Sequence, residues 1–190
     1  MEWLIFSVLA IVIAFAYGYF SQDRNTLQSG QAAPDFDLPD QYGNRHRLSN
    51  FRGQWLALYF YPKDDTPGCT KQACAFRDGL QEITGLGAVV VGISVDNAGS
   101  HAGFARKYRL EFPLLADTQA EVAARYHSLI RIGPVKFARR NTFLIDPEGK
   151  IVRMYLSASP VRNSSEVIRD LEQLQSATKS AAATHAPAES

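Results

Sequence analysis

Two cysteines, Cys69 and Cys74, lie five positions apart in the run Tyr61-Pro62-Lys63-Asp64-Asp65-Thr66-Pro67-Gly68-Cys69-Thr70-Lys71-Gln72-Ala73-Cys74, and the chain has no others. A thiol reacts as its thiolate. A helix N-terminus favours an anion, because backbone N–H groups there lack intrahelical partners and the peptide dipoles align. Pro67 suits the first position of a helix and Gly68 admits close backbone approach. The segment therefore predicts a helix opening at Cys69, with the Thr66 hydroxyl just before it, able to donate to a thiolate and accept from a substrate. Cys74 falls about one and a half turns further along. On an ideal helix such a pair has Cα atoms about 8–9 Å apart and side chains about 140° around the axis. A disulfide needs less than about 7 Å. The pair is unsuited to a static cross-link. It suits a cycle in which this turn is wound when reduced and unwound when oxidised.

Other chemistries fit poorly. A structural zinc site needs four ligands, and the remaining candidates, His46, His101, His127 and His185, are scattered; they read as surface or packing residues. A Cys-His hydrolase needs an oriented base, and no local signature nominates one. The composition is that of a globular chain, with 20 basic and 19 acidic residues among 190. No recurring basic patch points to nucleic acid.

The elements that must position the cysteines follow from periodicity. Residues 54–61 and 88–95 are nearly continuous apolar runs, as in strands buried on both faces. A helix is expected over Cys69–Ile83, others over Ser100–Tyr108 and Gln119–Tyr126, and a short extended piece at Phe112–Leu115. A strand, a Pro147-Glu148-Gly149 turn and a second strand occupy 142–155. Asn163 with Glu166 has the form of a capping box, and Val167, Ile168, Leu171 and Leu174 share the face of a closing helix. Alternating strands and helices imply a layered α/β domain with parallel pairs, and a hairpin followed by a last helix is how thioredoxin-like folds end. The expected fold is a central mixed β-sheet flanked by helices, over residues 34–175. Residues 176–190, without apolar periodicity, read as a disordered tail.

The N-terminal segment is separate. Trp3 to Phe20 carries no charge, and eighteen helical residues span about 27 Å, close to a bilayer core of roughly 30 Å. Trp3, Tyr17 and Tyr19 sit near its ends, as interfacial aromatics do. A cleaved signal peptide would carry a basic leading region, and only Met1 and Glu2 precede this one. Residues 1–22 are therefore expected to form one transmembrane helix, a single-pass inner-membrane anchor, with 23–33 as a tether. Arg24, Arg45, Arg47 and Arg52 follow it, but the charges leave open which side the domain faces.

The segment Tyr59 to Thr70, with Cys74 and Phe76-Arg77-Asp78 after it, resembles the active site of peroxiredoxins of the AhpC/TSA superfamily. It is most similar to the bacterioferritin-comigratory protein (PrxQ-like) subgroup. The similarity runs from about Gly30 to Leu174, through Arg140-Asn141-Thr142-Phe143-Leu144-Ile145-Asp146. It implies that Cys69 is the peroxidatic cysteine and Cys74 an intrachain resolving cysteine. It further implies that Thr66 positions peroxide, Pro62 shields the pocket and Arg140 steadies thiolate and peroxide, with Arg139 as a rival for that last part. The implied enzyme is an atypical 2-Cys thiol peroxidase acting on hydrogen peroxide and organic hydroperoxides. It would be recharged by thioredoxin or a similar dithiol, work as a monomer and use no cofactor. A membrane-tethered thiol-disulfide oxidoreductase on the same fold would carry C-x-x-C. A copper-delivery protein would carry C-x-x-x-C with a distal histidine. Neither spacing is present.

Overall fold

The computed structural model describes residues 27–184, with side chains to residue 177. The anchor expected over 1–22 and the first part of the tether lie outside the described residues, as does His185. No helix among the described residues is long and apolar enough to cross a membrane.

A five-stranded mixed sheet forms the centre. Its strands are β3 (Trp55–Phe60), β4 (Ala88–Ser94), β5 (Leu114–Ala116), β8 (Thr142–Ile145) and β9 (Ile151–Tyr155), in the spatial order β5-β4-β3-β8-β9. β3–β4 and β4–β5 are parallel; β3–β8 and β8–β9 are antiparallel. Because strand side chains alternate between faces, Tyr59 and Tyr61 lie under one layer, and Leu56, Leu58 and Phe60 under the other. The first layer comprises α1 (Pro67–Asp78), α2 (Leu80–Gly85), α3 (Ala98–Tyr108) and α5 (Asn163–Thr184). Phe76, Ile83, Phe104, Val167 and Leu171 close that face. The second is covered by α4 (Glu121–Arg125) through Val122 and Ala123, and by Leu27, Ala33 and Phe36. A small hairpin, β1 (Asp37–Pro39) with β2 (Arg45–Arg47), precedes the sheet.

Several sequence expectations are corrected. The single helix over 69–83 begins at Pro67 and breaks at Gly79, whose ψ of 2° leaves the helical range. A Cβ at Gly79 would stand 2.8 Å from Ser164 Oγ, so a glycine at the break leaves room for the start of α5. The tether ends earlier than residue 33. Gly30 N–H donates to Ile151 O at 2.7 Å, Ile151 N–H to Gln31 O at 2.8 Å and Ala33 N–H to Gly149 O at 2.9 Å, fastening 30–33 along the open edge of β9. Backbone pairing of this kind leaves no side-chain pattern. At the other end α5 continues to Thr184, where a disordered tail was expected from 176; Ala- and Ser-rich sequence sustains helix without an apolar stripe. Residues 185–190 lie outside the description. The segment between α4 and β8, unassigned from sequence, forms a second hairpin, β6 (Leu129–Ile132) with β7 (Val135–Ala138). Finally, Asn163 opens α5 without the expected capping box; its side chain turns inward to α1 and β8.

Candidate active site

The site forms where β3 delivers the chain into α1. Asp65 takes a left-handed backbone conformation with φ of 58°, a region few residues other than Gly, Asn and Asp enter readily. Its carboxylate accepts from Lys107 Nζ at 2.6 Å and Tyr108 Oη at 2.6 Å, which fixes the turn from α3. The neighbouring Asp64 is buried. It accepts from Tyr61 Oη at 2.8 Å and Ser100 Oγ at 2.7 Å and pairs with His101 Nδ1 at 2.8 Å, while its N–H donates to Asp96. Burial pushes the Asp64 carboxyl up, but the His101, Ser100 and Tyr61 contacts outweigh it and leave the group below its ordinary value. His101 is fully buried in this cluster, with Nε2 3.2 Å from Leu115 O.

Thr66 then caps α1 in extended conformation with Pro67 as the first helical residue. Thr70 N–H makes an intrahelical bond to Thr66 O at 2.8 Å, so Cys69 lies in the first turn, where amides are free to face an anion. Cys69 is 1% exposed and Cys74 partly exposed, and both are free thiols. They sit in one continuous helix, wound between them.

Arg140, two residues before β8, reaches across this turn. Its Nη2 lies 3.4 Å from Cys69 Sγ, and Nη1 donates to Gln72 Oε1 at 2.7 Å and to Gly68 O at 3.4 Å. A Cβ on Gly68 would come within 3.1 Å of Nη2, so a glycine here leaves room for the guanidinium. Arg139 is exposed and points elsewhere, lining a cleft with Leu129 and Phe143. Of the two adjacent arginines, only Arg140 meets the sulfur. Gln72, to which the sequence assigns no role, is fully buried and donates through Nε2 to Asn163 Oδ1 at 2.9 Å, which also accepts from Thr142 Oγ1 at 2.6 Å. Thr66 Oγ1 donates back to Lys63 O at 3.1 Å in this state rather than to the thiol. Pro62 is half-buried in the loop between β3 and α1. Among the described residues no cluster of His, Cys, Asp or Glu could hold a metal ion.

A half-buried guanidinium against a buried thiol at a helix start is a site for a thiolate and a polar, charge-developing oxidant. The chain belongs to the AhpC/TSA family, whose model matches residues 29–154. It is 35% identical over 153 residues to the peroxiredoxin Bcp of Bacillus subtilis, covering 78% of this chain and 98% of that one. Among solved structures it is similar to peroxidoxin BcpB of Mycobacterium tuberculosis, with TM-score 0.74, 36% identity and coverage of 77% and 97% of the two chains. A bacterioferritin comigratory protein of Xanthomonas campestris, studied for its alkyl peroxide reduction, gives TM-score 0.71 and 30% identity over 77% and 96%. Within the family this is a peroxiredoxin of the Bcp/PrxQ type, a thiol peroxidase.

Proposed function

We propose that Cys69 is the peroxidatic residue and Cys74 the resolving one, acting on hydrogen peroxide and organic hydroperoxides. The Cys69 thiolate attacks the terminal peroxide oxygen. The O–O bond breaks, a proton is taken up, water or an alcohol leaves, and the sulfur becomes a sulfenic acid. Arg140 and the free amides of the first turn hold the charge on sulfur and on the separating oxygens. The Thr66 hydroxyl, released from Lys63 O, binds the peroxide, and Pro62 limits water. The turn then unwinds, the Cys74 thiol condenses with the sulfenic acid, water is lost and the disulfide forms. A thioredoxin-like dithiol restores both thiols by exchange. An intrachain partner makes a second subunit unnecessary, so the working unit is a monomer. The observation carrying this reading is the 3.4 Å approach of Arg140 Nη2 to Cys69 Sγ, with Cys74 on the same helix.

The test is peroxide consumption by single-cysteine variants. Cys69→Ser abolishes turnover. Cys74→Ser consumes about one equivalent and then stalls with thioredoxin, because the sulfenic acid has no intrachain thiol to meet. Retained turnover in Cys69→Ser would overturn the assignment.

The uncharged run Trp3 to Phe20 supports a further part of this proposal, that the domain is held at the inner membrane by a single N-terminal span. Resistance of the full chain to alkaline carbonate extraction checks it; release into the supernatant would refute it.

A further inference from the structure

The β6–β7 hairpin is amphipathic in its register. Ile130 pairs with Phe137 and Ile132 with Val135, while Leu129, Arg131, Lys136 and Ala138 occupy the alternate positions. Ile132 is 66% exposed and Val135 48%, flanking a Gly133-Pro134 tip. From His127 to Ile145 the chain has basic residues at Arg131, Lys136, Arg139 and Arg140 and no acidic one. With Arg140 turned inward to Cys69, an apolar tip backed by the exposed Arg131 and Arg139 and by Lys136, which also donates to Gln119 O, suits the headgroup region of an anionic bilayer, where apolar side chains enter the acyl boundary and Arg or Lys meets lipid charge.

The way the chain arrives adds a geometric restraint. Leu27 lines a cleft of about 740 Å³ together with Leu129, Arg131, Arg139 and Leu156, so the chain enters the domain beside this hairpin. Seven residue steps separate Leu27 from Phe20, the end of the apolar run, and they reach at most about 25 Å. Leu27, and with it the base of the hairpin, therefore lies within that reach of the end of the apolar run.

We propose that the β6–β7 hairpin docks the domain on an anionic phospholipid bilayer; this inference rests on the N-terminal span proposed above. β7 ends at Ala138, two residues before Arg140, so docking also holds the chain that carries the guanidinium.

The test uses the full chain reconstituted in phosphatidylcholine vesicles with and without phosphatidylglycerol, read by flotation and by hydrogen exchange of residues 129–138. The expected result is that the chain floats in both and that hairpin exchange slows several-fold only on the anionic vesicles. Ile132→Asp with Val135→Asp should abolish that protection while leaving hydrogen peroxide turnover intact, which also shows that the variant is folded. Flotation without hairpin protection overturns the docking inference and leaves the anchor standing. Failure to float overturns the anchor and the inference with it. Protection that rises with protein concentration in detergent, or appears only when a thioredoxin is added, would place another protein on the hairpin and reject the bilayer.

Discussion

Gln72 holds Arg140 from inside the turn that the proposed resolution step unwinds: its Oε1 accepts from Nη1 at 2.7 Å, three residues after Cys69 and two before Cys74. While α1 is wound, the guanidinium is fixed against the sulfur. Once the turn opens, that support leaves with it. Gln72→Ala should slow Cys69 oxidation at least about tenfold, since a hydrogen bond to a charged group contributes roughly 1.5–3 kcal/mol and 1.4 kcal/mol is a factor of ten. Disulfide formation should not slow in step. Stopped-flow fluorescence resolving the two phases checks this; equal slowing of both would show a general loss of structure instead.

Arg140→Lys should be nearly as damaging as removal. A single ammonium cannot span both Cys69 and Gln72 as the planar fork does. The expected loss in the second-order rate with peroxide is about a hundredfold, the scale of a lost oxyanion-type donor. Arg139→Lys, on the exposed cleft wall, should leave that rate unchanged. Side-by-side peroxide kinetics would separate the two arginines.

How much of this could be read from the sequence depends on how local each contact is. Pro67, Gly68 and Cys69 announce their helix start because its cause lies in adjacent residues. The runs at 54–61 and 88–95 announce buried strands for the same reason. Gln72 gives no sign, because its partners Arg140 and Asn163 are 68 and 91 positions away and a lone amide in a helix has no pattern. Asn163 looked like a helix cap for the converse reason: its local spacing with Glu166 fits a motif that a distant Gln72 overrides. The β6–β7 hairpin did carry a signal, alternating residues on either side of Gly133-Pro134, but its strands are four residues each. Runs that short are weak evidence on their own.

Gly92→Ala should destabilise the domain by about 1–3 kcal/mol, the usual cost of overpacking. A Cβ there would stand 2.8 Å from Tyr59 Oη, Tyr59 Cζ and Leu114 Cδ2. Tyr59 cannot step aside easily, because its ring packs at 4.9 Å on Phe76 and 5.4 Å on Tyr61. Urea denaturation of the reduced protein, comparing midpoints at equal slope, measures the effect.

Asp64 sets the acid limit of the loop before α1. Its carboxyl is depressed in the folded protein, so its ionised form stabilises the fold. That contribution is fully present above the unfolded value of about 3.9 and is lost as pH falls through the lower folded value. The stability gap between wild type and Asp64→Asn should therefore be constant near neutrality and above about pH 5, then narrow below about pH 4. Denaturation midpoints across that range test it; a gap that widened on acidification would contradict the sign.

The clamp on Asp65 gives the redox cycle a boundary. With Lys107 and Tyr108 gripping that carboxylate from α3, the segment N-terminal to Thr66 is tied to a part of the molecule that contains neither cysteine. At the far end Gly79 already interrupts the helix. In the proposed rearrangement Asp65 is thus a fixed stop, and the break at Gly79 is where unwinding can end. Oxidation becomes a local stroke, in which the loop from Pro62 to Asp65 stays in place while the sulfur is away.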